Sequence, residues 1–267
     1  MWANIPTKRG LGPHPFMLPH TWFASLHKDR PEAFADSVHG PAGAPLAFWT
    51  CMAYTPFVKS HPKLTREDLP CTIPLGFYGD AGSFSHQDSL YVFTWNSLVG
   101  TGATMAKRYL TACLKKSDIV PGTLDAVFRI LAWSFNILLD GKWPTVLWNG
   151  MPVQSPRGDL AGKLKGCLCQ IRGDWEFYCT VFSLPKWSMA DNMCWMCQAS
   201  ANGPSPSQTF LQQHHGELRS EPTSHTSKSF AMLESHCPSC SRKLLGCDWR
   251  RSALMSCTPA IRGSLRM

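Results

Sequence analysis

The run from Thr123 to Asp140 constrains the fold most. Leu124, Val127, Phe128, Leu131, Phe135 and Leu138 recur there at helical spacing. An apolar stripe at that period predicts an amphipathic helix that must cover one face of something else. Pro121 stands just before the run, and Gly141 and Pro144 follow it, as helix punctuation requires. The flanking segments have another character. Leu75 to Asp80 is short, apolar and bounded by Pro74 and Gly82, which predicts a buried strand stopping at Asp80. Leu90 to Val99 alternates loosely and is rich in Val, Phe, Tyr and Trp, residues that suit a pleated surface; Gly100 and Gly102 break it. Arg108 to Leu114 and Lys165 to Arg172 read as third and fourth strands. Trp175 to Ser183 reads as a helix opening directly from Asp174, and residues 143–163 as a Pro- and Gly-rich loop.

The sequence order is therefore βββαβα, an α/β arrangement. Three strands before the first helix predict an antiparallel meander. The helical crossover then delivers the fourth strand as a parallel neighbour, giving a mixed sheet. This is the element order of the ribonuclease H-like fold, in which acids on the first and fourth strands lie side by side. Asp80 and Asp174 sit where the first and fourth strands are expected to end. Two carboxylates so placed suit Mg²⁺ or Mn²⁺, hard ions that take oxygen ligands. A pair of such ions activates a water or 3′ hydroxyl and stabilises the leaving oxygen in phosphodiester chemistry. The competing assignment is structural: each Asp caps a strand or the following helix, and Asp174 is well placed as an N-cap.

Several of these segments carry a resemblance. Asp80, Lys107-Arg108-Tyr109-Leu110, Pro121-Gly122-Thr123-Leu124-Asp125, Gly173-Asp174 and Cys194-x-x-Cys197 together resemble the core of CACTA-type (En/Spm-like) cut-and-paste transposases. The wording of residues 15–200 resembles more closely a multicopy set of uncharacterised proteins of dinoflagellate-type algal genomes. Its matching segments include Ser60-His61-Pro62, Gly79-Asp80, Trp95-Asn96-Ser97, Gly141-Lys142-Trp143-Pro144 and Arg172-Gly173-Asp174. The transposase resemblance implies a DDE-type catalytic core with Asp80 and Asp174 as the first two acids, DNA as partner and nuclear location. The chain after Asp174 offers no strand–helix context for a third acid; Glu217, Glu221 and Glu234 are candidates in name only. The expectation is a truncated, transposase-derived protein whose metal-dependent DNA cleavage is weak or lost, since two acids alone hold metal loosely. The alternative is a non-catalytic module that binds nucleic acid or protein.

Composition bounds the rest. The chain has 267 residues, a formal net charge of +8 and no dense Lys/Arg run. That balance is compatible with nucleic-acid binding without demanding it. No apolar stretch reaches membrane-spanning length and no secretory pattern opens the chain, which predicts an intracellular protein. Its twelve cysteines are then expected to be reduced, with close pairs suggesting metal before disulfide. Cys194-Trp195-Met196-Cys197 is half of a zinc site; Cys237-Pro238-Ser239-Cys240, or His214 with His215, are the available second halves. Cys167 and Cys169 alternate on the fourth strand and point to one face as core. Residues 1–70 read as an irregular Pro-, His- and Trp-rich extension packed on a core at 71–200. A short helix near Trp22 to Phe34 is interrupted by Pro31, residues 41–45 form a linker, and residues 60–70 are extended. Ser, Pro, Gln, His and Thr dominate the start of 201–267, which predicts a low-order tail. His61 reads as a turn residue before Pro62 rather than a metal or phosphate contact. Asp88, Asp118, Asp125 and Asp159 read as surface or cap residues, and His86 is a lone loop His. Trp95, Trp133 and Phe135 read as packing residues, with base stacking second.

Overall fold

A computed structural model describes residues 1–184 and 186, apart from 86, 87 and 155–157. The chain divides into two units; the first covers residues 1–172 and the second begins at Gly173. Cys194, Cys197, Cys237, Cys240, His214, His215, Glu217, Glu221, Glu234 and His86 lie outside the described residues.

The first unit opens with a hairpin of β1 (Trp2–Thr7) and β2 (Gly10–Pro15). Four short helices follow: α1 (Pro19–Asp29), α2 (Pro31–Phe34), α3 (Ala44–Met52) and α4 (Pro56–Ser60). Then come β3 (Thr72–Ser83), β4 (Ser89–Ser97) and β5 (Tyr109–Lys115), the long helix α5 (Thr123–Asp140), and β6 (Lys165–Gly173). The fold is thus mixed α/β. Its main sheet is a mixed four-stranded one in the order β5-β4-β3-β6. The β3/β4 and β4/β5 pairs are antiparallel, with a register shift between Phe93 and Thr94.

The core forms where α5 covers one face of this sheet. Phe77 of β3 stacks on Phe93 of β4 at 5.9 Å between ring centres. Phe128 meets both rings edge-on, and Phe135 meets Phe77 in the same way. Edge-to-face contacts of this kind add to area burial because ring edges are positive and faces negative. The stripe that predicted the helix is the stripe that is buried: Val127, Phe128, Leu131, Phe135 and Leu138 are all within it. Close approach of β6 to α5 needs Gly166, where a Cβ would stand 2.8 Å from Leu75 Cδ1 and 3.4 Å from Leu138 Cβ. Gly141, at φ +67°, ends α5 by donating its N–H to Ile137 and Leu138 carbonyls.

The N-terminal segment corrects the sequence reading. It is not irregular. Pro stands in the first turn of each of the four helices, where a missing N–H costs nothing and the fixed φ suits the helix. The Pro content that argued against regular structure therefore starts it. Residues 41–45 are not a plain linker, because α3 begins at Ala44; nor are residues 60–70 simply extended, since His61 and Leu64 are buried in turns. The helix around Trp22 begins earlier, at Pro19, and stops at Asp29 before Pro31. The segment is tied to the remainder of the unit by named bonds. Thr123 Oγ1 donates to the Pro6 carbonyl at 2.7 Å, and Trp49 Nε1 donates to the Thr72 carbonyl at 2.6 Å. Trp49, Phe57 and Leu64 form a second apolar cluster with Leu139, Cys167 and Cys169.

The described part of the second unit is α6 (Trp175–Phe182). Asp174 caps it, accepting from the Phe177 N–H at 2.6 Å.

Candidate functional site

Asp80 is not at a strand end. β3 continues to Ser83, and Asp80 pairs across the sheet with Val92. The apolar run ends at Asp80, but Ala81, Gly82 and Ser83 keep hydrogen-bonding to β4; backbone pairing carries a strand beyond its hydrophobic signal. Side chains two apart share a face, so Tyr78 stands beside Asp80 and its hydroxyl donates to Asp80 Oδ2 at 2.8 Å. The Ala81 N–H donates to Oδ1 at 2.8 Å. The Arg108 guanidinium lies 4.2 Å from the centre of the Tyr78 ring, a cation–π contact. Burial, and then the bond to Asp80, pushes the Tyr78 hydroxyl pKa up. Asp80 is half-buried, and each of its oxygens keeps acceptor capacity beyond the one donor it already has.

Nearer the start of β3, the sheet carries a second polar contact. Arg172 of β6 donates to Asn96 Oδ1 of β4, and the Asn96 amide donates to the Ser97 carbonyl at 2.6 Å. The guanidinium lies across Gly76, where a Cβ would meet Arg172 Nη2 at 2.6 Å. Asn96 and Arg172, separated widely in sequence, thus meet on one sheet.

Asp174 belongs to the second unit and has the capping role that its position before Trp175 allowed. One oxygen is engaged by the helix N-terminus. Its chemistry as a hard oxygen donor fits a divalent cation, as does that of Asp80. Among the described residues, no three His, Cys, Asp or Glu side chains gather into a metal-holding group.

The other candidates fall into structural roles. His61 is buried; its Nδ1 accepts from the Lys63 N–H at 3.1 Å, and its ring meets Phe57 edge-on. Cys167 and Cys169 are buried together in the second apolar cluster, as the alternation on the fourth strand predicted. Burial pushes the Cys169 thiol up to about 12, which removes it as a nucleophile at neutral pH. Asp88 closes the β3–β4 connection onto the end of β5. Its bond from Ser117, with help from Ser89 and Lys115, holds its carboxyl down at about 2. Asp125 is in the first turn of α5, and Asp118 ends a short turn after β5. Asp159 forms an isolated bridge with Lys142. Among the described residues every cysteine is a free thiol. Trp95 and Phe135 are buried packing residues, whereas Trp133 is half-buried at the edge of a groove.

Sequence reasoning missed Tyr78 and Arg108 as partners of Asp80. The period of two along β3 was signal enough for Tyr78. Nothing in the sequence placed Arg108, because its position follows from β5 joining the sheet beyond β4.

Fold and site together define a mixed α/β protein with a carboxylate–tyrosine–arginine cluster on its sheet. Comparison with known proteins gives no match: no family model fits the chain, and no curated protein sequence or solved structure is similar to it. Among the described residues, no helix is long and apolar enough to cross a membrane.

Proposed function

We propose that this chain derives from a transposase with a ribonuclease H-like core, and that Asp80 and Asp174 are its divalent-cation ligands. The observation that supports the reading is the strand order. β3, which carries Asp80, neighbours β6, which runs directly into Asp174, and α5 makes the crossover between β5 and β6. Both side chains are oxygen donors with acceptor capacity left. Mg²⁺ or Mn²⁺ bound there would supply charge neutralisation at a phosphodiester and a polarised water or 3′ hydroxyl. The residues' own contributions are separate from the ion. Tyr78 and the Ala81 N–H fix the Asp80 rotamer, and Arg108 holds Tyr78 from its other side. With two carboxylates and no third beside them among the described residues, metal affinity is weak, and strand cleavage is expected to be slow or absent. Cys194 with Cys197, joined by Cys237 with Cys240, is the proposed zinc set. DNA is the proposed partner and the nucleus the proposed location.

The second reading, a non-catalytic module that binds nucleic acid, is favoured by the engagement of both acids. Asp80 accepts from Tyr78 and Ala81, and Asp174 accepts from Phe177, so each has a structural use without metal. The discriminating experiment is Mg²⁺- and Mn²⁺-dependent nicking of supercoiled and single-stranded DNA by the wild type and by Asp80→Asn. Where cleavage persists, the leading reading expects slow nicking that chelator abolishes and that Asp80→Asn lowers at least about a hundredfold, the scale of losing one transition-state electrostatic partner. Equal residual activity in both proteins, or none in either at high Mn²⁺, leaves the binding module.

A further inference from the structure

Lys142, Trp143 and Pro144 have no part in the Asp80 cluster, and they line a groove beside α5. The exposed side of α5 forms one wall with Arg129 and Trp133, and the following loop forms the other with Lys142, Trp143, Leu147 and Trp148. The cavity between them is about 1120 Å³, enough for more than one nucleotide-sized group.

The loop wall is built. The Trp133 indole N–H donates to the Val146 carbonyl at 3.0 Å and pins the loop to the helix. Val153 N–H donates to the Thr145 carbonyl at 2.9 Å, Leu147 N–H to Met151 at 2.7 Å, and Trp143 N–H to Gly158 at 3.0 Å. Behind the wall, the His20 ring stands edge-on to both Trp133 and Trp143, at 5.1 and 5.8 Å between centres. The two indoles are therefore held by packing and need no ligand to order them.

The charge of the groove is one-sided. Asp140, its acidic residue, is neutralised by an ion pair with Lys63. Arg129 and Lys142 are exposed and have no ion pair among the described residues. Three indoles and two uncompensated cations around one concave space match the two parts of a nucleic-acid strand. Any base offers a flat face for an indole, and the phosphates answer the cations. A duplex hides its base faces, so of the two forms of nucleic acid only an unpaired strand uses both features. A sugar would use the indoles but not the cations, and a proline-rich peptide likewise leaves both charges unanswered.

We propose that the groove between the outer side of α5 and the 142–150 loop binds single-stranded nucleic acid, bases against Trp133, Trp143 and Trp148 and phosphates at Arg129 and Lys142. The site does not depend on Asp80, Asp174 or a metal.

The test is fluorescence anisotropy of a labelled ten-nucleotide single-stranded DNA of mixed sequence with the full chain in chelator. Trp148 is half-buried and makes no hydrogen bond among the described residues, which suits it to substitution. Trp148→Ala is expected to weaken binding about 5- to 150-fold, the range for losing one stacked base, while Trp148→Phe keeps most of it. The double variant Arg129→Gln, Lys142→Gln is expected to lower affinity and flatten the salt dependence by about 1.4 in log–log slope, the value for two phosphate contacts on a single strand. Binding that persists in chelator separates this site from the catalytic reading, which requires a metal ion. Four results overturn the proposal: no binding by the wild type, wild-type affinity in Trp148→Ala, an unchanged salt slope in the double variant, or equal competition by a duplex of the same sequence. Displacement of the strand by a proline-rich peptide of equal affinity also overturns it, in favour of a protein partner.

Discussion

His20 provides a test of how well the first unit is packed. The ring is only 2% exposed. Its Nδ1 lies 2.8 Å from Ser134 Oγ, and the same oxygen accepts from the His20 backbone N–H at 3.2 Å. Trp133 and Trp143 pack edge-on against the ring. No carboxylate among these partners offsets a positive charge, so burial drives the imidazole pKa from 6.5 down to about 4. That difference corresponds to about 3 kcal/mol between the protonation states. The sign follows from which state takes up the proton. Above pH 6.5 the ring is neutral in both folded and unfolded chains, and pH has no effect through it. Between pH 6.5 and 4 the unfolded ring is protonated and the folded ring is not, so stability falls as pH falls, and the loss is complete below pH 4. Urea unfolding followed by circular dichroism, at pH 7.5 and at pH 4.5, measures this for the wild type and for His20→Gln. Glutamine loses the packing of the ring at every pH but does not titrate. The stability difference between the two proteins should therefore shift by about 2.5 kcal/mol between those pH values, with the wild type losing more on acidification. Groups common to both proteins, including His14, whose pKa burial also lowers, cancel in the difference. A difference constant to about 0.5 kcal/mol would refute the reasoning, as would an NMR titration placing His20 near its ordinary value.

Two further predictions follow from local geometry. Asp174→Ala should remove the α6 cap at a cost of about 1 kcal/mol, seen as an about fivefold loss of hydrogen-exchange protection at the Phe177 amide; Asp174→Asn should keep nearly all of it. Gly100 lies against the Ser37 carbonyl, where a Cβ would collide with backbone. Gly100→Ala should cost about 2–3 kcal/mol in urea unfolding, whereas Gly82→Ala, with nothing within 4 Å of its Cβ, should stay within about 0.5 kcal/mol of the wild type.

What is legible in the sequence and what is not divide by the range of the forces involved. α5 was legible from Thr123 to Asp140 because periodicity, Pro121 and Gly141 are all local signals, and all three agree. β4, β5 and β6 were legible to within a residue or two for the same reason, as was the capping place of Asp174. β3 was legible in part. Its apolar half announced a strand, but its last residues are held by cross-strand bonds to Ser89, Leu90 and Tyr91 that no local pattern encodes. The hairpin of β1 and β2 was missed because Pro6, Pro13 and Pro15 depress strand propensity. The four Pro-led helices were misjudged because the same residue ends one helix and begins the next, and only position relative to a buried face decides which.

Local sequence signals were enough to specify a mixed α/β fold around one long amphipathic helix, and which face of that helix is apolar. Tertiary structure alone decided what stands beside what: Tyr78 and Arg108 at Asp80, Arg172 on Asn96, and two cations and three indoles around one groove. Local propensity acts over a few residues, where backbone sterics and periodicity operate. Side chains far apart in sequence meet only once sheet order and helix packing are fixed, and the chemistry of this protein resides in those meetings.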